Sequence, residues 1–151
     1  MIDRYELLSS SISSMYHDIQ KIERVEMAKF GLKGPHAQCM LAMTRYPEGL
    51  TSSRLCEICD KDKAAISRTV AELEEAGMVV RSEQNGNRYR ARLTLTEQGI
   101  AAAKAVSARA HVAVEQAGAG LDDEQRQVFY KVLALISHNL HTICKDGLQN
   151  R

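Results

Sequence analysis

Apolar residues recur at steps of three and four along the first part of the chain. The series consists of Tyr5, Leu8, Ile12, Met15, Ile19 and Ile22. Residues with this spacing lie along one stripe of a helix. A stripe this long and narrow suits packing against another long helix, and Gly31 and Gly34-Pro35 end the pattern.

Three shorter helices are predicted in the next segment. Pro35 favours the first turn of one helix, which carries Met40, Leu41 and Met43 inward. Thr51 and Asp62 are candidate N-caps of the following two, because their side-chain oxygens can accept bonds from free amides of a first turn. The buried face of the third helix is predicted to consist of Ile66, Val70 and Leu73.

The hydrophobic period changes to two after Gly77. Met78-Val79-Val80-Arg81 is strand-like, and apolar and polar residues alternate again over residues 88–95. Asn85-Gly86 lies between these runs and is a strong hairpin signal. The pattern predicts a ribbon with a basic face, opposed locally only by Glu83. Its cations are Arg81, Arg88, Arg90 and Arg92.

Two further helices are predicted towards the C-terminus. Thr96 caps an alanine-rich helix, and Asp122 with Gln125 has the spacing of a capping box at the start of the last one. The last helix is expected to bury Val128, Val132, Leu135, Ile136, Leu140 and Ile143.

Two short helices joined by a tight turn and followed by a hairpin make a winged helix-turn-helix. We therefore expect a mostly α protein with a small two- to three-stranded β wing. Residues 1–151 are expected to form one domain, in which 35–96 is the winged helix-turn-helix lobe. Longer helices over 1–30 and 97–146 flank it.

Composition narrows the class of protein. The 151 residues are 44% hydrophobic and 26% charged, as in globular proteins, and the net charge is only +1. No apolar run is long enough for a membrane span, and the N-terminus lacks a signal-peptide pattern. These features predict a cytoplasmic protein without membrane association. Its four cysteines then need not form a disulfide framework.

The third short helix offers chemistry suited to reading DNA. A recognition helix must show small and hydrogen-bonding side chains to enter the major groove. Lys63, Ala64, Ser67 and Arg68 meet that requirement. Arg88 at the ribbon could reach phosphates or a narrow minor groove, with Arg90 and Arg92 behind it.

Four motifs, in this order, resemble those of the MarR family. They are Thr51 to Leu55, Asp62 to Arg68, Leu73 to Val79 and Leu95 to Gly99. The resemblance implies that the flanking helices pair with their twins in a homodimer, that residues 63–68 read the major groove and that Arg88 reaches the minor groove. One departure is Gly86, where the family usually carries an Asp two residues before its wing arginine.

The resemblance also implies a function. It indicates a sequence-specific regulator of transcription that binds a pseudo-palindromic operator in double-stranded DNA and represses until a small aromatic or phenolic ligand binds. We expect Tyr16, His36, Cys39 and Tyr46 to line the ligand crevice. The predicted DNA contacts are Thr51, Ser52, Arg54, Lys63, Ala64, Ala65, Ser67, Arg68, Arg88 and Arg90.

Other interpretations stay open at this point. A winged helix can serve as a protein-interaction module, and the near-neutral charge favours that alternative. A thiol-sensing or metal-sensing regulator of the same fold is another, with Cys39 the best redox candidate. Cys56 and Cys59 lack a second ligand pair and are interpreted as structural, so no metal is expected. No catalytic arrangement or cofactor motif is present, which predicts that the protein is not an enzyme and needs no cofactor.

Overall fold

The computed structural model describes residues 3–82 and 91–148. Within them the elements are α1 (Arg4–Ala28), α2 (Gly34–Thr44), α3 (Ser52–Cys59), α4 (Lys63–Glu75), β1 (Val79–Ser82), β2 (Arg92–Leu95), α5 (Glu97–Ala117) and α6 (Asp123–Asp146). The predicted fold class, a mostly α chain with a small β wing, is confirmed. No helix in the described ranges combines the length and the apolar character needed to cross a bilayer.

The chain divides into two compact units, residues 1–111 and residues 112–151. The first unit holds α1 to α4, the β ribbon and most of α5. The second unit holds the end of α5 and α6. The expected division into a lobe over 35–96 with dimerisation helices on either side stays a prediction.

One apolar cluster forms the core of the first unit. Met40 of α2, Leu55 of α3, Leu93 of β2 and both Ile66 and Leu73 of α4 are each at most 1% exposed. The buried residues of α4 recur at steps of four and three, as predicted. Burial of this stripe turns the opposite face of α4 outward.

A sharp turn joins α3 to α4. Asp60 follows Cys59 in the left-handed conformation, with φ 50 and ψ 50. The Oδ1 atom of Asp62 then accepts a hydrogen bond from the backbone N–H of Ala65 at 2.7 Å. Thr51 caps α3 in the same way. Both predicted N-caps are confirmed, and each such cap stabilises its helix by about 1 kcal/mol.

The two strands form an antiparallel ribbon in which Val79 is paired with Leu95. Leu50 adds a single bridge to Leu93 on the far side of β2, with backbone bonds in both directions. Leu93 is buried and Arg92 is exposed, as the alternating pattern requires. The expected two- to three-stranded wing therefore consists of a two-stranded ribbon with one extra bridge.

Most of α1 is exposed. Only Glu26 and Met27 near its C-terminal end are buried. Glu26 accepts a hydrogen bond from Lys29 at 2.6 Å, and this bond is the largest cause that holds its pKa below the ordinary value. The six apolar residues of the predicted stripe, from Tyr5 to Ile22, are 39% to 76% exposed.

The main helix of the second unit, α6, has a well-formed N-terminal cap. The backbone N–H of Asp122 donates to the side chain of Gln125 at 3.0 Å, and the backbone N–H of Gln125 donates to Asp122 at 2.8 Å. The predicted capping box is confirmed. Arg126 closes the turn from the other side by donating to the carbonyl of Gly118 at 3.1 Å.

No residue of α6 is buried. The expected burial of its apolar stripe is therefore not found within the single chain. Periodicity reports which side of a helix is apolar but does not say which surface covers it. The residues concerned are Val128, Val132, Leu135, Ile136, Leu140 and Ile143.

Candidate nucleic-acid interface

The exposed face of α4 has the composition that the sequence indicated. Its members are Lys63, Ala64, Ser67, Arg68 and Ala71, all exposed. The two alanines leave room for close approach, while a hydroxyl and two cations can bond to base edges or phosphates. The helix N-terminus, which carries a partial positive charge, lies at the Lys63 end of this face.

Arg68 is available for an external anion. Glu72 lies four residues further along α4 and would be its natural helical partner. However, both carboxylate oxygens of Glu72 are engaged elsewhere, by Lys33 at 2.8 Å and by His36 at 2.6 Å. Among residues 3–82 and 91–148, Arg68 has no ion-pair partner.

The bonds of His36 define its tautomer. The backbone N–H of Lys33 donates to Nδ1 at 3.0 Å, so the ring proton lies on Nε2 and is donated to Glu72. The bonds from Lys33 and then His36 hold the pKa of the Glu72 carboxyl below its ordinary value of 4.5. This network ties the start of α2 to α4. The sequence gives no signal for it, because His36 and Glu72 are 36 positions apart.

The predicted DNA contacts at the start of α3 differ in exposure and in the bonds that they already make. The Thr51 hydroxyl is occupied as an N-cap, and Ser52 beside it is half-buried. Arg54 is exposed, but its Nη1 donates to Glu57 Oε2 at 2.6 Å. Exposed ion pairs contribute little to stability, so a phosphate could displace Glu57 at little cost.

The charge of the ribbon is lower than its sequence indicates. Arg81 is paired with Glu74 of α4, with Nη2 and Oε1 2.9 Å apart. Glu83 is the only acid within residues 81–92, but α4 packs beside β1 and brings Glu74, an acid from outside that range, to Arg81. Arg92 remains exposed and donates to the carbonyl of Gly49 at 3.4 Å. The predictions for Arg88, Arg90 and the Asn85-Gly86 turn lie outside the described residues.

A groove of about 360 Å³ separates the first turns of α2 from one side of α4. It has a mixed lining of charged side chains of both signs together with polar and apolar ones. Its residues include Pro35, Gln38, Cys39, Ala65, Arg68 and Thr69. Ala65, predicted as a DNA contact, is half-buried and lines this groove. Arg68 therefore faces both the groove and the exterior.

The four predicted ligand-binding residues have different surroundings. Cys39 lines the groove, and the other three are not among its described lining residues. Tyr16 is 53% exposed on α1, whereas His36 is buried with both ring nitrogens bonded. Tyr46 is half-buried and packs against the core. A common ligand crevice for all four therefore lacks support from these contacts.

Lys61 is a further cation beside the exposed face of α4, outside the predicted DNA contacts. It is exposed, lines the groove and directly precedes the Asp62 cap of α4. A positive residue just before the N-cap of a recognition helix lies near the end that approaches phosphates. The position of Lys61 directly before the Asp62 N-cap is the sequence signal that could have identified it as a candidate contact.

Comparison with families of known sequence identifies the central segment. Residues 30–88 match the model of the MarR family. This range includes α2, α3, α4 and β1, the elements that build and orient the exposed face. The resemblance drawn from the sequence motifs is confirmed. No curated protein sequence matches the chain.

Solved structures show the same fold. A MarR transcriptional regulator from Methanosarcina mazei Go1 is 22% identical, with a TM-score of 0.83 over 91% of this chain and 99% of that one. A MarR-family regulator from Silicibacter pomeroyi has a TM-score of 0.75 at 19% identity, covering 89% and 90%. A protein from Listeria monocytogenes assigned to the same family, crystallised with a 26mer DNA, has a TM-score of 0.81 at 17% identity, covering 100% and 99%. At these identities the likeness concerns the fold alone.

Proposed function

We propose that this chain, which carries a MarR-family segment on the fold of MarR-family regulators, is a homodimeric repressor that binds a specific double-stranded DNA operator. The observation that carries the proposal is the exposed face of α4. It combines small residues, a hydroxyl and two cations on a helix whose opposite side is anchored in the core. The protein from Listeria monocytogenes with this fold was crystallised with DNA.

In the proposed complex, α4 lies in the major groove. Ser67 and Arg68 bond to base edges, while Lys63 and the exposed Lys61 approach phosphates. The Asp62 cap and the Glu72 network keep α4 in place, so these side chains meet DNA on a rigid support. Arg88 and Arg90 of the wing are proposed as further contacts.

A homodimer would place two copies of α4 in successive major grooves of a pseudo-palindromic operator, about 34 Å apart. The apolar residues of α1 and α6 support this assembly. Ile12 and Ile19 of α1 and Leu140 of α6 are between 39% and 51% exposed, although apolar stripes of this length are normally covered. We assign their cover to the partner subunit.

Relief of repression by a small aromatic or phenolic ligand completes the proposal. Its support is the family resemblance together with the groove beside α4. A ligand seated near Cys39 would lie next to Arg68, which lines the same groove. Such a ligand would compete with DNA for the guanidinium group.

The test is a mobility-shift assay with the promoter DNA next to the chain's own gene. Arg68→Ala is expected to weaken specific binding by about 1–3 kcal/mol, the contribution of a good base contact. Lys104→Ala is the matched control, because Lys104 is an exposed cation on a different helix, α5, and is not one of the proposed contacts. Circular dichroism verifies that both variants are folded. Equal affinities of the two variants would remove Arg68 from the DNA contacts.

Salt dependence separates this function from the alternative of a protein-interaction module. Each phosphate that the protein neutralises adds about −0.9 to the slope of log affinity against log salt. We expect a steep slope from several such contacts on each subunit. A DNA affinity that does not change with salt, or no DNA binding, would instead favour the protein-interaction module. The net charge of +1 is the sequence feature that agrees with that alternative.

A further inference from the structure

Two buried cysteines from different helices lie in contact. The Sγ atoms of Cys39 in α2 and Cys59 at the end of α3 are 3.9 Å apart, although the residues are 20 positions apart in sequence. Both are free thiols and at most 2% exposed. Cys56 is only half-buried, and the described part of the chain groups no three His, Cys, Asp or Glu side chains as metal ligands. The arrangement is therefore a dithiol.

The dithiol lies at the turn that orients α4. Cys59 is the last residue of α3, and only residues 60–62 separate it from α4. The side chain of Gln38 donates to the carbonyl of Cys59 at 3.2 Å and fastens the same point to α2. A change in the distance between the two sulfurs therefore acts directly on the support of the DNA-reading helix.

One member of the pair borders an open groove. Cys39 lines the groove of about 360 Å³ beside α4, so its side of the pair is the side from which we expect a small oxidant to approach. The thiol of Cys39 lowers the pKa of Cys59 by hydrogen bonding, and the positive charges of Arg45 and Lys61 lower it further. A thiolate is the nucleophilic form of cysteine.

We propose that Cys39 and Cys59 are a redox site, which a peroxide-class oxidant converts into an intrachain disulfide that weakens DNA binding. The effect on DNA rests on the proposed function, whereas the disulfide itself does not. The oxidation state of these two buried residues would then control the position of α4, and through it the affinity for DNA.

The chemistry balances with hydrogen peroxide as the only added reactant. The deprotonated member of the pair attacks one peroxide oxygen, the O–O bond breaks, and after protonation that cysteine is a sulfenic acid and one water has left. The sulfur of the other cysteine, on losing its proton, then attacks the sulfenic sulfur and displaces a second water. Two thiols have been oxidised by two electrons, and the peroxide has been reduced to water.

The bond requires movement. A disulfide has its sulfurs about 2.05 Å apart, so the present separation of 3.9 Å must shrink by nearly half. Both side chains are packed in the core, where neighbouring atoms leave little room for adjustment. We therefore expect the end of α3 to shift towards α2 and the turn to α4 to follow.

The experiment treats the full chain with hydrogen peroxide, maps disulfides by mass spectrometry of peptides without reduction, and measures DNA affinity by mobility shift. We expect a Cys39–Cys59 disulfide and DNA binding weaker by about tenfold or more, comparable to the loss of one good base contact. Dithiothreitol should restore both. Cys59→Ala and Cys39→Ala should each lose the response, since free cysteine packs as a small apolar residue that alanine can replace.

Cys144→Ser is the matched control, because Cys144 is the exposed cysteine and should not affect the response. Failure to form the Cys39–Cys59 bond, or formation of Cys56–Cys59 in its place, would overturn the site. A mapped bond with unchanged DNA affinity would overturn the regulation. If the reduced chain does not bind DNA, the proposed function is wrong, while the disulfide map still decides whether the redox site exists.

Discussion

At the scale of single residues, Glu72 controls the charge that α4 presents. It accepts from Lys33 and His36 through different oxygens, and it thereby leaves Arg68 unpaired within the described residues. The same bonds connect α4 to the start of α2. A carboxylate on the proposed recognition helix would ordinarily repel DNA phosphates, but both oxygens of Glu72 are bonded to Lys33 and His36.

The Glu72 network predicts a pH-dependent contribution to stability. The folded pKa of Glu72 lies below its ordinary value of 4.5, so the ionised group stabilises the fold above that pH and this stabilisation is lost as the pH falls through the lowered pKa. Thermal melting should show Glu72→Gln less stable than the native chain at neutral pH, with a gap that closes in acid. Glu75→Gln, at an exposed position on the same helix, is the control. A gap independent of pH would contradict the prediction.

At the scale of elements, the join between the ribbon and α5 combines a local signal with a close approach. The Thr96 hydroxyl donates to the carbonyl of Gly77 at 2.7 Å and accepts from the backbone N–H of Gly99 at 3.0 Å, which confirms the predicted cap. Gly99 then passes so close to Met78 that a Cβ atom would collide with its carbonyl oxygen. The sequence predicts the cap, but no local signal in it indicates this need for glycine.

The close approach predicts the effect of adding one methyl group. Gly99→Ala should destabilise the chain by about 2 kcal/mol, because a backbone carbonyl cannot move aside as a flexible side chain can. Gly34→Ala is the matched control, since its Cβ would meet Arg24 Cβ at an ordinary 3.5 Å. Urea unfolding followed by circular dichroism measures both. Equal stabilities for the two variants would contradict the prediction and would show that α5 can move away from Met78 at little cost.

At the scale of the whole molecule, the exposed apolar stripes of α1 and α6 are the main feature that the single chain leaves unexplained. Each helix is long, and each has an apolar stripe at helical spacing. Water contact over such stripes is unfavourable by about 25 cal/mol for each Å² that a partner could bury. The proposed homodimer removes this cost.

Ile12→Glu tests the dimer directly. A carboxylate in the middle of the α1 stripe should yield monomers by light scattering after gel filtration. The separated subunits should also bind operator DNA about 10²-fold more weakly, because linked sites gain at least that much from avidity. Ser13→Glu adds the same charge at an exposed position beside the stripe and should remain dimeric. A dimeric Ile12→Glu variant would exclude α1 from the interface.

The sequence by itself determined the features that depend on nearby residues. Helical and strand periods, the caps at Thr51, Asp62 and Thr96, and the outward face of α4 were all predictable, because each arises from side chains within about one turn of each other. These local features in their order were also enough to indicate the winged helix-turn-helix and the MarR resemblance.

Only the tertiary structure decided which distant side chains meet. His36 and Glu72 are 36 positions apart, and Cys39 and Cys59 are 20 apart, so nothing in their local sequence announces either contact. The pairing of Arg81 with Glu74 likewise depends on how β1 packs beside α4. Such contacts form when helices and strands bury their apolar sides together, and that packing decides which charges and thiols face each other.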